Sequence, residues 1–114
     1  MAIPDQLIID VRHEKDGVVL SLSGELDLAS APLLQSEVES SQVTTANTVV
    51  LDLEKLTFID STGLRVLLSA HDRSRESGQE FAVTRGSQQV QRLLSITGVD
   101  SHLRIIASPD EILV

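Results

Sequence analysis

The sequence predicts an α/β fold in which a mixed sheet of about five strands carries its helices mainly on one face. Two alternating apolar runs flank Asp16-Gly17 and predict an antiparallel hairpin, because Asp-Gly is a strong turn signal between strands. After the hairpin, segments whose apolar residues have helical spacing alternate with short apolar runs, which is typical of parallel β-α-β units. Polar Ser21, Ser23 and Asp52 alternate with apolar neighbours, whereas a sheet covered on both faces would be apolar throughout.

The hairpin strands are predicted over residues 7–12 and 18–23, where every second side chain is apolar. Gly24 is expected to end the second strand, and residues 25–28 are expected to form the loop that leaves it. The elements predicted after this loop are a helix from the N-cap Ser30 to about Ser41, a strand over 48–53, a helix ending at Gly78, a strand over 80–84, a helix from the N-cap Ser87 to Gly98, a short strand over 103–106 and a helical turn over 108–111. If successive strands are also neighbours, right-handed crossovers place all these helices on one face of the sheet.

Composition favours one domain over residues 1–114 and limits the possible functions. The chain has no cysteine, tryptophan or tyrosine and carries a formal net charge of −8. A negative field of this size repels phosphate backbones, so nucleic acid is not an expected partner. We find no signal-peptide pattern and no long apolar run, and therefore expect a cytoplasmic protein with no membrane partner. Nothing in the sequence indicates a cofactor or a thiolate metal site.

The junction between the third strand and the following helix carries the strongest candidate site, Asp60-Ser61-Thr62-Gly63. An ordinary N-cap would explain Asp60 or Ser61 by itself, and local pattern alone favours that explanation. Gly63 indicates a role beyond capping, because glycine in a first helical turn costs roughly 1 kcal/mol relative to alanine. Room for another molecule beside Ser61 would be one reason for this glycine. A phosphoryl group on Ser61 would also lie where helix N-termini favour anions.

Catalysis by Ser61 is not expected. The nucleophile elbow Gly-x-Ser-x-Gly would need glycine where Ile59 stands. The nearest histidine along the helix, His71, is more than two turns away and is expected to be a packed or snorkelling residue. No phosphate-cradling Gly-x-x-x-x-Gly-Lys loop is present, and neither are the acidic pair and the lysine of a response-regulator receiver.

A second acidic segment, Gly24-Glu25-Leu26-Asp27, leaves the second strand. In isolation it reads as a turn in which Asp27 helps to cap the next helix. Carboxylates at Glu25, Asp27, Asp52 and Asp60 could bind a metal in principle, but no calcium-loop spacing is present. If the second and third strands are parallel neighbours, Glu25 and Asp27 share one edge of the sheet with Asp60 and Ser61.

These motifs resemble the STAS domain, and more narrowly the bacterial anti-sigma factor antagonists (anti-anti-sigma factors). The resemblance is carried by three segments, Gly24-Glu25-Leu26-Asp27, Val50-Leu51-Asp52-Leu53 and Phe58-Ile59-Asp60-Ser61-Thr62-Gly63-Leu64. It implies a STAS-like fold that is a substrate and not an enzyme. It also implies phosphorylation at Ser61, with Thr62 as the less favoured site. The partner-binding surface that it implies is formed by Glu25, Asp27, Asp60, Ser61, Thr62, Gly63 and Leu64.

The resemblance further implies partner switching. The unphosphorylated form would bind an anti-sigma factor serine kinase with a histidine-kinase-like ATPase fold and so release a sigma factor. Phosphorylation would end that binding, and a PP2C-type phosphatase would restore it. The chain itself would be a monomer or weak dimer. The alternative is a STAS scaffold or accessory subunit that does not switch, as in a stressosome or a lipid-transport complex.

Overall fold

The computed structural model describes residues 7–113 of the chain. Its sheet has five strands in the order β1-β2-β3-β4-β5, with β1 antiparallel to β2 and all later pairs parallel. The elements are β1 Ile8–Glu14, β2 Gly17–Leu26, α1 Ala31–Val38, α2 Ser41–Thr44, β3 Thr48–Ile59, α3 Ser61–Ser77, β4 Glu80–Thr84, α4 Gln88–Ile96, a 3-10 turn Val99–Ser101, β5 Ile105–Ile106 and a second 3-10 turn Pro109–Glu111. Successive strands are neighbours, and the predicted mixed five-stranded α/β sheet is confirmed.

One apolar cluster joins all four helices to the same face of the sheet. The buried strand residues in this cluster include Leu20, Leu51 and Val83, and the helices contribute Leu34, Val43, Leu67 and Leu94 among others. Aliphatic burial of this kind is the main favourable term in folding. The prediction that the helices lie mainly on one face is therefore correct.

The opposite face of the sheet is apolar at one end and polar at the other. Val19, Val50, Ala82 and Ile106 form a small buried cluster that Ile112 covers from the C-terminal turn. Farther along β3, Asp52 accepts hydrogen bonds from the Thr84 hydroxyl at 2.9 Å and from the Glu54 N–H at 3.1 Å. Asp52 thus ties β3 to β4 on this face. Its position does not bring it to the strand-to-helix junction.

The predicted C-terminal ends of β2 and β3 are wrong, and β5 begins at Ile105 instead of residue 103. Gly24 does not end β2, which continues to Leu26, since Gly24 adopts φ 99° and the β2–β3 register shifts around it. Glycine tolerates positive φ without steric cost, so the strand passes through an irregularity and goes on pairing. β3 continues beside it to Ile59, six residues past the predicted end at Leu53.

The first helix is also shorter than predicted. α1 ends at Val38, and Ser40 has an extended ψ of 154° that separates α1 from α2. The Ser40 hydroxyl donates to the Glu37 carbonyl at 2.7 Å. Serine competes in this way with helical hydrogen bonding, which explains a break at this position. The predicted N-caps Ser30 and Ser87 both precede helices, and only Ser87 accepts a bond from its helix, the Val90 N–H.

Candidate functional site

The C-terminal ends of β2 and β3 form the edge that carries the candidate site. In the parallel ladder Glu25 lies opposite Phe58 and Leu26 lies opposite Ile59. The Asp60 N–H then donates to the Leu26 carbonyl at 3.1 Å. The predicted meeting of the two acidic segments at one edge of the sheet is therefore confirmed in its geometry.

Asp60 fixes this junction through both of its carboxylate oxygens. One oxygen accepts from the Gly63 N–H at 3.0 Å and makes Asp60 the side-chain N-cap of α3. The other accepts from the Leu28 N–H, also at 3.0 Å. An unpaired N–H at a helix start is thereby satisfied, and the loop after β2 is held against the start of α3.

The loop between β2 and α1 is held by Asp27 and Ser30. The Asp27 carboxylate accepts from the N–H groups of Ala29 and Ser30, each at 3.0 Å. The buried Ser30 hydroxyl donates to the Glu25 carbonyl at 2.7 Å and accepts from the Asp27 N–H at 3.0 Å. Asp27 therefore shapes the loop as a capping residue would, and the Glu25 backbone takes part in the same network.

Ser61 is the first residue of α3 and its side chain is exposed. Thr62, the other hydroxyl of the motif, is half-buried. Gly63 and Leu64 are buried, and Leu64 belongs to the apolar core. Of the predicted contact residues in this motif, Ser61 is the most accessible to another protein.

Close packing explains why position 63 is a glycine, and the sequence did not suggest this explanation. A Cβ on Gly63 would lie 2.7 Å from Leu26 Cγ, 2.9 Å from Ile59 Cγ1 and 2.9 Å from the Leu26 carbonyl oxygen. The interpretation that Gly63 leaves room for another molecule is therefore wrong. The space is filled by the ends of β2 and β3, and glycine lets α3 pack directly against them.

A groove beside Ser61 was not predicted. It encloses about 350 Å³ and is lined by the junction residues Phe58, Ile59, Asp60 and Ser61 and by Gln89, Val90, Arg92, Leu93 and Ile96 of α4. Phe58 is 40% exposed and Ile96 is 73% exposed, so the groove presents apolar surface to solvent. The spacing of Gln89, Arg92 and Ile96 on one helical face was the available signal.

Leu28, in the loop after β2, adds exposed apolar surface near the junction. It is 72% exposed, and its N–H donates to Asp60. Ser61 follows Asp60 and lines the groove together with Phe58 and Ile96. Exposed apolar surface of this kind is typical of a protein interaction site.

Removal of the Asp60 carboxylate is expected to destabilise the protein. Asp60→Ala should lower the free energy of unfolding by about 1–2 kcal/mol, because two backbone N–H groups lose their acceptor. Urea denaturation followed by circular dichroism measures this change. Asp72→Asn, on the exposed side of α3, is the control and should stay within about 0.5 kcal/mol of wild type. An equal loss in both variants would contradict the structural role of Asp60.

The comparisons with known proteins agree with this architecture. The STAS domain family matches residues 9–112, and the chain therefore belongs to the STAS domain family. Among its relatives is the anti-sigma-F factor antagonist RsfB of Mycobacterium tuberculosis, 28% identical over 108 residues that cover 95% of this chain and 88% of RsfB. The anti-sigma F factor antagonist of Paenibacillus polymyxa is 33% identical over 82% of this chain and 80% of that protein.

The fold of this chain is also found in a solved structure. The crystal structure of an anti-sigma factor antagonist from Mycobacterium paratuberculosis superposes with a TM-score of 0.84 at 24% identity, covering 97% of this chain and 94% of that one. The resemblance to anti-sigma factor antagonists drawn from the sequence motifs is confirmed. Within residues 7–113, none of the helices has the length and apolar character needed to cross a membrane. The described residues also contain no acidic or histidine cluster arranged to hold a metal ion.

Proposed function

We propose that this protein is an anti-sigma factor antagonist that works by partner switching. Its unphosphorylated form binds an anti-sigma factor serine kinase with a histidine-kinase-like ATPase fold and thereby frees a sigma factor. The observation that carries the proposal is the exposed Ser61 hydroxyl at the first position of α3. It stands in a chain whose curated relatives are named anti-sigma factor antagonists.

In this proposal Ser61 is the acceptor in phosphoryl transfer. The kinase moves the γ-phosphoryl group of ATP to Ser61 Oγ, so that an O–P bond forms as the bond to the ADP leaving group breaks. The hydroxyl proton is lost to a base of the kinase. The protein contributes an accessible acceptor held at a fixed position by the Asp60 cap. A PP2C-type phosphatase hydrolyses the phosphoserine and restores the binding form.

Phosphorylation can release the partner through charge at the centre of an apolar surface. It adds about −1.5 to −2 charges at Ser61. Leu28, Phe58 and Ile96 expose apolar area around that point, and docking against them would take the phosphate out of water. Removing a phosphate from water is costly even when cationic side chains accompany it, so the interface opens while the fold is retained.

Phosphate incorporation tests which hydroxyl accepts the phosphoryl group. With the cognate anti-sigma factor kinase and radiolabelled ATP, Ser61→Ala should reduce incorporation by at least about tenfold, the ratio that corresponds to 1.4 kcal/mol. Thr62→Ala, one residue along the same helix, should keep most of it. Incorporation that survives Ser61→Ala and is lost in Thr62→Ala would move the site to Thr62. No incorporation in wild type, together with a large assembly in sedimentation, would favour a scaffold that does not switch.

A further inference from the structure

Arg92 reaches the mouth of the groove that Ser61 also lines. It is exposed on α4, and it is the only basic residue among those that form the groove. The salt bridges within residues 7–113 join Arg12 to Glu14 and Arg73 to Glu39. Within that part of the chain, Arg92 has no carboxylate partner.

Arg65, on α3, is a second arginine that helical spacing places on the same face as Ser61. It lies one helical turn after Ser61 and is exposed. Side chains four residues apart on a helix are neighbours, and an acidic group N-terminal to a basic one is the favourable order. Long side chains in a helix also lean toward its N-terminus, which directs Arg65 toward Ser61. Arg65 also has no carboxylate partner within residues 7–113.

We infer that Arg65 and Arg92 together bind the phosphoryl group of phosphorylated Ser61. This inference rests on the proposed function, because it takes Ser61 as the modified residue. Guanidinium groups match phosphate oxygens in geometry and form charge-assisted hydrogen bonds with them. The carboxylate that precedes Ser61, Asp60, accepts from the Gly63 and Leu28 N–H groups and forms no salt bridge with either arginine within residues 7–113. The two arginines are thus the available charge partners of the new group.

This arrangement gives phosphorylation a second effect on the surface. A phosphoserine bound to Arg92 bridges α3 and α4 and covers the mouth of the groove. The apolar wall formed by Phe58, Leu93 and Ile96 is then less accessible to a partner. Release of the partner follows from a masked groove as well as from added charge.

Phosphorus NMR of protein carrying phosphoserine at position 61 tests the inference. Incorporation of phosphoserine during translation of the full chain needs no kinase. The second pKa of the phosphoryl group in wild type should lie below its ordinary value of about 6. Arg65→Gln and Arg92→Gln should each raise that pKa by about 0.2 to 0.7 unit, the range expected for an exposed ion pair.

Arg75→Gln is the matched control. Arg75 is exposed near the other end of α3, so the variant removes the same charge far from Ser61. Shifts in both test variants that exceed the control support the inference. A shift in only one of them, or equal values in all three variants, overturns joint binding by the two arginines. The NMR measurement needs no kinase, so failure of this inference is distinguishable from failure of the proposed function, which fails if the cognate kinase does not phosphorylate Ser61.

Discussion

Ser61→Asp is expected to weaken binding to the anti-sigma factor kinase by at least about tenfold, equivalent to 1.4 kcal/mol. Ser61→Ala should bind within about twofold of wild type, a difference under 0.5 kcal/mol. The aspartate places a carboxylate at the exposed first position of α3, where Ser61 lines the groove. A charge that loses water on docking and gains no partner opposes binding.

Ser41→Asp provides the control for this comparison. Ser41 is also exposed and is also the first residue of a helix, α2. It precedes β3 and therefore lies toward the opposite edge of the sheet from Ser61. Isothermal titration calorimetry should give this variant the affinity of wild type. Equal affinities for Ser61→Asp and Ser61→Ala would contradict the switch, and an equal loss in Ser41→Asp would show a general effect of charge.

Phosphoserine at position 61 should release the kinase more completely than aspartate does. Aspartate carries one charge on a short side chain, whereas the phosphoryl group carries up to two and extends farther from the helix. Only the longer group is expected to reach Arg92 across the groove. The same calorimetric measurement with the phosphoserine protein compares the two.

The edge of the sheet could be predicted because it follows from strand order. Asp16-Gly17 sets the hairpin, and the alternation of helices with apolar runs then makes β2 and β3 parallel neighbours. That arrangement brings Glu25 and Asp27 to the same edge as Asp60 and Ser61, as found. The two ends of α3 could also be predicted from local sequence signals. Asp60 caps its start, and Gly78 ends it in the left-handed region at φ 80°.

The groove could not be predicted because it depends on how α4 lies relative to the start of α3. Leu93 of α4 is half-buried: it packs against the apolar core and also lines the groove, and helical spacing alone does not show the second contact. The lengths of β2 and β3 were missed for a related reason. β2 continues through Gly24, where glycine suggests a loop. β3 continues through Glu54 and Lys55, where exposed charge suggests one. Continued pairing of the two strands outweighs those local preferences.

Gly63→Ala is expected to lower the free energy of unfolding by about 1–3 kcal/mol, the usual cost of overpacking a well-packed site. Helix propensity alone would make this substitution favourable by roughly 1 kcal/mol. Overpacking and helix propensity therefore predict changes of opposite sign in the free energy of unfolding. The added methyl would lie 2.7 Å from Leu26 Cγ and 2.9 Å from the Leu26 carbonyl oxygen. Urea denaturation measures the change, with Thr62→Ala as the neighbouring control.

A double variant identifies the contact that causes the loss. Leu26 is fully buried, so Leu26→Ala alone should cost about 2–5 kcal/mol by leaving a cavity. In Gly63→Ala/Leu26→Ala the new methyl enters that cavity, and the combined loss should fall below the sum of the single losses by about 0.5 kcal/mol or more. Additive losses would place the strain elsewhere. A Gly63→Ala protein of wild-type stability would contradict close packing as the reason for glycine at this position.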